Sequence, residues 1–111
     1  MEIDKIVSII NGKKVVDSVA IMGGEPLENE LLFELLYEIQ STGKEIWLYT
    51  SYELEEVPNN IKELCNYIKT GEFIEELYCE GRLHTKNQKI FKNENNSFVL
   101  YYEYTAEREY A

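Results

Sequence analysis

Gly23-Gly24-Glu25-Pro26 is the stretch of this chain whose residue types and order could do chemistry. Two glycines let the backbone approach a ligand where a Cβ would stand in the way. Glu25 adds a carboxylate able to accept from a ligand's ammonium group, and Pro26 presets φ for the first turn of a helix. Thr50-Ser51-Tyr52 and Thr70-Gly71 supply two further polar turns. The other chemically suggestive residues read as structure. His84, the one histidine, lies among Arg82, Lys86 and Lys89, with no Ser or Asp to complete a triad. Glu53, Glu55 and Glu56 spread along a helical run instead of converging as a hard cation requires. Cys65 and Cys79 have thirteen residues between them, which fits no zinc spacing and reads as two structural thiols in a reducing compartment.

The elements that must position these turns follow from apolar spacing. Ile3, Ile6, Val7 and Ile10 recur at helical intervals and Gly12 supplies a stop. Val15 to Met22 predicts a strand, its last four residues continuously apolar as in a parallel strand buried on both faces. Leu31, Leu32, Leu35, Leu36 and Ile39 then form one helical face, with Glu28, Glu30, Glu34 and Glu38 mostly on the other. Gly43 ends that helix, and Ile46-Trp47-Leu48-Tyr49 is the next strand. Strand, helix and strand with short connections make a βαβ unit, hence parallel strands and a right-handed crossover. The turn at Thr50 therefore falls at the C-terminal sheet edge, where open α/β sheets hold ligands.

Farther along, Glu53 to Val57 predicts a helical turn. Asn59 or Asn60 caps a short helix that turns Ile61, Leu64 and Cys65 inward. Tyr67-Ile68-Lys69 is a brief third strand, and Phe73 to Leu77 a short amphipathic piece. Lys89 to Lys92 and Phe98 to Tyr104 pair as a hairpin across Asn93-Glu94-Asn95-Asn96, with a polar tail after Thr105. The fold class expected is α/β: a small, mostly parallel three-stranded sheet with packed helices and a C-terminal hairpin, in a single domain over residues 1–111.

The 111 residues carry a net charge of −10, unevenly placed. Residues 1–24 are neutral, 25–80 hold −11, 81–93 hold +4 and 94–111 hold −3. So acidic a surface repels nucleic acid, so no direct nucleic-acid binding is expected. The basic segment around Arg82, Lys86, Lys89 and Lys92 is read as pairing with the protein's own acidic face. No apolar run is long enough to span a membrane, and the N-terminus is neither a signal nor a transit peptide. A cytoplasmic protein is the expectation.

Taken in order, these pieces resemble the C-terminal part of the radical S-adenosylmethionine (SAM) activases, and among them the activating proteins of anaerobic ribonucleoside-triphosphate reductase. The segments that carry the resemblance are Met22-Gly23-Gly24-Glu25-Pro26-Leu27, Glu45-Ile46-Trp47-Leu48-Tyr49-Thr50 and Tyr52-Glu53-Leu54-Glu55-Glu56. Tyr67-Ile68-Lys69-Thr70-Gly71, Phe73-Ile74-Glu75-Glu76-Leu77 and Thr85-Lys86-Asn87-Gln88-Lys89 continue it. The matching order and spacing run over roughly residues 15–92. The resemblance implies a partial radical-SAM-type barrel. It also implies that Gly23, Gly24, Glu25 and Pro26 contact the amino group of SAM, with Thr50 nearby. It assigns no contact to Asn87-Gln88.

Such activases hold a [4Fe–4S] cluster on a Cys-x-x-x-Cys-x-x-Cys loop after their first strand, and this sequence begins just before the second. With two cysteines, neither at the matching position, a [4Fe–4S] cluster is not expected in this chain. The leading expectation is a truncated, cluster-less relative that binds another protein, a glycyl-radical reductase, with residual SAM affinity and no catalysis of its own. An acidic, phage-type inhibitor that mimics nucleic acid and occupies a basic target protein is an alternative. One subunit of a split radical SAM activase, joined by a missing-half subunit, is another. An uncovered sheet edge would also allow a homo-oligomer.

Overall fold

The computed structural model describes residues 18–22, 25–81 and 83–104. The helix expected around Ile3 to Ile10, Gly12, the start of the first strand, Gly23, Gly24, Arg82 and the tail after Thr105 lie outside the described residues.

Five strands form one sheet in the order β1-β2-β3-β4-β5: β1 Ser18–Ile21, β2 Glu45–Tyr49, β3 Tyr67–Thr70, β4 Lys89–Glu94 and β5 Ser97–Glu103. β1 pairs with β2 and β2 with β3 in parallel, whereas β3–β4 and β4–β5 are antiparallel. The sheet is therefore mixed and wider than the three strands counted from the sequence. The hairpin is not an appendage, because Tyr67↔Lys92 through Thr70↔Lys89 join it to β3 along the whole length of that strand. Its turn places Asn95 and Asn96 at φ of 55° and 67°. This left-handed pair is a twist-compatible two-residue hairpin connection, which Asn tolerates well.

One helix face and one sheet face make the main core. Helix α1, Leu32–Gln40, buries Leu32, Leu36 and Ile39 at the expected spacing, with Leu35 half-buried and Leu31 left largely exposed. Its end is closed by local donors: Ser41 Oγ to Glu38 O at 2.6 Å, Thr42 Oγ1 to Ile39 O at 2.6 Å, and Gly43 at φ +78°. These satisfy carbonyls that the helix cannot pair internally. Short helix α2, Asn59–Lys62, is preceded by Pro58 at the capping position rather than by an asparagine side chain. Ile61, Leu64 and Cys65 nonetheless turn inward. They meet Ile46, Leu48 and Ile68 from the sheet, with Val19 and Ile21 packed on the margin. Burial of each such aliphatic side chain contributes about 1.5–3 kcal/mol.

β1 departs from the expectation of a strand buried on both faces. Its pattern alternates, with Ser18 and Ala20 exposed, and Met22 beyond it is 57% exposed. The helices cover only the face bearing Val19 and Ile21. The opposite face carries a second, smaller core, in which Cys79, Leu83 and Ile90 pack with Trp47, Tyr67, Tyr102 and Tyr104. Trp47 stacks on Tyr67 with ring centroids 4.1 Å apart. Asn66 ties the middle strands together: its side-chain oxygen accepts from Ile46 N at 2.8 Å, and its own carbonyl accepts from Asn93 N at 2.8 Å. Among the described residues, no helix is long and apolar enough to cross a membrane.

Candidate functional site

The parallel strands β1, β2 and β3 end on the same sheet edge, so the residues that follow them come together. Glu25 follows β1, Thr50 follows β2 and Gly71 follows β3. Glu25 is extended, at φ −122° and ψ 104°, and opens the 3₁₀ turn Pro26–Glu28, whose first residue, Pro26, is buried. Proline suits that position because its missing N–H would have had no partner there.

Glu25 Oε2 accepts from Leu27 N at 2.9 Å and from Thr50 Oγ1 at 2.8 Å. Oε1 accepts from Ser51 N at 2.8 Å and from Ser51 Oγ at 2.6 Å. Each oxygen thus takes one backbone N–H and one hydroxyl. Burial pushes the carboxyl pKa up, but the bonds from Ser51, Leu27 and Thr50 together outweigh it and hold it below the ordinary 4.5. A carboxylate offers about four lone-pair directions, and all are used. Glu25 is a clamp that fastens the turn after β1 to the turn after β2. Of the residues expected from the sequence, the structure brings Glu25, Pro26 and Thr50 together; Gly23 and Gly24 lie outside the described residues.

The next stitches run from β2 to β3 and onward. Thr50 N donates to Lys69 O at 2.9 Å, and Gly71 N donates to Tyr52 O at 3.2 Å. Gly71 sits at φ +105°, and a Cβ there would lie 3.2 Å from Gln88 Cα and 3.3 Å from Asn87 Nδ2. The Asn87-Gln88 pair now has a role that sequence reading left open. Gln88 Nε2 donates to Gly71 O at 3.0 Å, while its Oε1 accepts from His84 N and Thr85 N, both at 3.0 Å. Asn87 Nδ2 donates to Glu72 O at 2.9 Å. Together they knot the base of the connection between β3 and β4 onto the turn at Gly71.

Beside these turns lies a cavity of about 330 Å³, lined by Met22, Tyr49, Thr50, Ser51, Lys69, Gly71, Phe73, His84 and Gln88. Its size falls within the range of small-molecule sites. Lys69 is the residue that sequence reasoning missed: 3% exposed, it stood in the sequence only as the last residue of a short strand. Alternation along β3 was the available signal, since Ile68 faces the helices and its neighbour must face the other way.

The chain belongs to the family described as 4Fe-4S single cluster domain, which it matches over residues 1–97. Among curated proteins it is similar to the anaerobic ribonucleoside-triphosphate reductase-activating protein of Salmonella typhimurium, 28% identical over 83 residues. The protein of the same name from Escherichia coli strain K12 is 26% identical over 83 residues. In both cases the match covers 67% of this chain and 54% of the relative, so the chain spans about half the length of the curated relatives it matches. No solved structure matches.

The family name implies a cluster, and this chain's donor set does not fit one. Its two cysteines are both buried, Cys65 in the helix-side core and Cys79 in the core on the opposite face. Burial pushes the Cys65 thiol up to about 12, away from the thiolate that iron requires. Among the described residues, no three His, Cys, Asp or Glu side chains converge as a metal site. No step through a cluster is derived from these residues.

Proposed function

We propose that this chain is an activase-related protein that acts by binding a glycyl-radical reductase of the anaerobic ribonucleoside-triphosphate type, and that it does not generate a radical by itself. The observation that carries this reading is the family match over residues 1–97, combined with a sequence holding only two cysteines, both buried. The reductase enters as the protein that the matched relatives activate, by their names. The retained edge, where Glu25, Thr50 and Gly71 are stitched together beside a cavity, supports a small-molecule pocket kept from a radical-SAM-type barrel. SAM is the ligand that the resemblance suggests for it. The resemblance assigns the ligand's amino group to the turn of Gly23, Gly24, Glu25 and Pro26, where Glu25 already accepts four hydrogen bonds from the protein.

The test is sedimentation velocity of the purified chain with the anaerobic reductase of the same cell, with and without SAM. A stoichiometric complex is expected. Independent sedimentation of the two proteins at micromolar concentration, under both conditions, refutes the reading. Calorimetry with SAM alone addresses the ligand separately: saturable heat supports it, and none at millimolar SAM removes SAM from the proposal.

A further inference from the structure

We propose that the outer face of α1 is a docking surface for a basic amphipathic helix of a partner protein. This surface lies on the helix layer, away from the turns at the sheet edge, and it does not depend on the activase reading. Successive residues of an α-helix are turned by about 100°, so α1 carries separate rows along its length. One row, Leu32, Leu36 and Ile39, is buried in the core. A second holds Phe33 and Tyr37, about one turn apart and 42% and 58% exposed. Their ring centroids are 6.2 Å apart, so the two make one aromatic patch. A third holds Glu34 and Glu38, both exposed, and the exposed Glu28 and Glu30 precede the helix. No lysine or arginine lies between Glu25 and Gly43.

Aromatic side chains are frequent anchors of protein interfaces. Here the helix holds two of them at a fixed spacing, and its opposite face is packed into the core. Little backbone freedom remains to be lost on docking.

The charges decide the occupant. A second copy docked antiparallel would set Glu34 and Glu38 against the same glutamates. At −10 per chain, self-association in any direction works against its own charge. Nucleic acid and anionic membranes are repelled for the same reason. A helix with an apolar row beside a row of lysine or arginine satisfies both rows of α1 at once, because its side chains recur at the same three- and four-residue intervals. Its apolar row covers Phe33 and Tyr37, and its cations face Glu34 and Glu38.

The experiment is an amide-resolved NMR titration of the full chain with a synthetic amphipathic helical peptide of leucine and lysine. The comparison peptides are the same residues in scrambled order and the same helix with glutamate for lysine. Saturable shifts are expected over residues 31–41, with binding at least tenfold tighter than for the scrambled peptide and none for the glutamate peptide. Phe33→Ala combined with Tyr37→Ala should weaken binding at least tenfold. Both side chains are exposed and alanine favours helix, so the sheet amides should stay in place; Phe33→Gln with Tyr37→Gln repeats the test should the alanines disturb them. Glu34→Gln combined with Glu38→Gln should weaken binding about three- to tenfold and flatten its salt dependence. Absence of binding, shifts centred instead on Glu53 to Glu56 or Glu72 to Glu80, equal affinity for the scrambled peptide, or affinity kept in the aromatic variants overturns the proposal. Neither SAM nor the reductase enters the measurement, so its failure and that of the proposed function are separable.

Discussion

Replacing Glu25 by glutamine tests the clamp at the sheet edge with almost no change of shape. Each carboxylate oxygen now accepts one backbone N–H and one hydroxyl. In the amide, one of the two oxygens becomes an NH₂. A hydroxyl facing that NH₂ can turn and accept from it, but a backbone N–H cannot. Whichever way the amide sits, either Leu27 N or Ser51 N loses its acceptor, and the surviving pair binds a neutral oxygen. Hydrogen bonds to a charged partner contribute about 1.5–3 kcal/mol each and neutral ones about 1. Ser51 is exposed, so water recovers part of the loss. The net cost of Glu25→Gln is therefore about 1–2 kcal/mol, and of Glu25→Ala about 2–3.

Urea unfolding followed by fluorescence of Trp47, the single tryptophan, reads this directly. With a slope of about 1.5 kcal/mol per molar, a 2 kcal/mol loss lowers the midpoint by about 1.3 M. The pH dependence supplies a second signature. A carboxyl held below 4.5 in the folded state contributes stability that is fully present above the unfolded value and is lost as pH falls through the folded value. The gap between the native protein and Glu25→Gln should be constant near neutrality and close below about pH 4.5. Two variants within about 0.5 kcal/mol of the native protein, at every pH, would refute the clamp.

Three further outcomes follow from the same geometry. Gly71→Ala forces a Cβ into a φ of +105° and to 3.2 Å from Gln88 Cα; a loss of about 2–3 kcal/mol is expected in the same urea assay. Asn96→Gly places the residue preferred for a turn position at φ 67° and should raise stability by up to about 1 kcal/mol, read as a higher Tm. Lys69→Met removes a buried cation that has no hydrogen-bond partner among the described residues and should stabilise the ligand-free protein by about 1–3 kcal/mol at neutral pH. Because the folded Lys69 pKa is lowered from 10.5, the folded state binds fewer protons than the unfolded one between the two values. Native stability therefore rises with pH across that window, and the advantage of the methionine shrinks there.

Much of the architecture was legible because the apolar spacing leaves little choice. Leu32, Leu36 and Ile39 mark one helix face, and the short βαβ connections fix the parallel order of the first strands. Glycines at Gly43 and Gly71 mark backbone positions that other residues resist. What the sequence obscured was where the hairpin goes. Ile90 and Phe91 alternate like any edge strand, and nothing local says that Thr70↔Lys89 and its neighbours pair with β3. The second core was hidden for a related reason, since Cys79 and Leu83 lie in irregular chain with no period. Glu25 was visible as a site residue by type and position, yet its four donors come from residues two, twenty-five and twenty-six positions away. Lys69 was invisible because a lysine ending a strand is ordinarily solvated.

The bonds that Gln88 and Asn87 make to Gly71 and Glu72 bring the two ends of the 72–87 excursion within hydrogen-bonding distance. Within it, Tyr78 bridges to Thr85, Cys79 N donates to His84 O, and Lys86 N donates to Leu77 O. A loop drawn shut at its neck and cross-tied inside behaves as one cooperative unit, a foldon in miniature. The hydrogen-bonded amides of Cys79 and Lys86 should exchange with deuterium at one shared rate, set by release of the Gln88 knot, while those of β2 and β3 wait for global unfolding. Because Phe73, His84 and Gln88 line the cavity, that single opening event would also remove three of its lining residues at once.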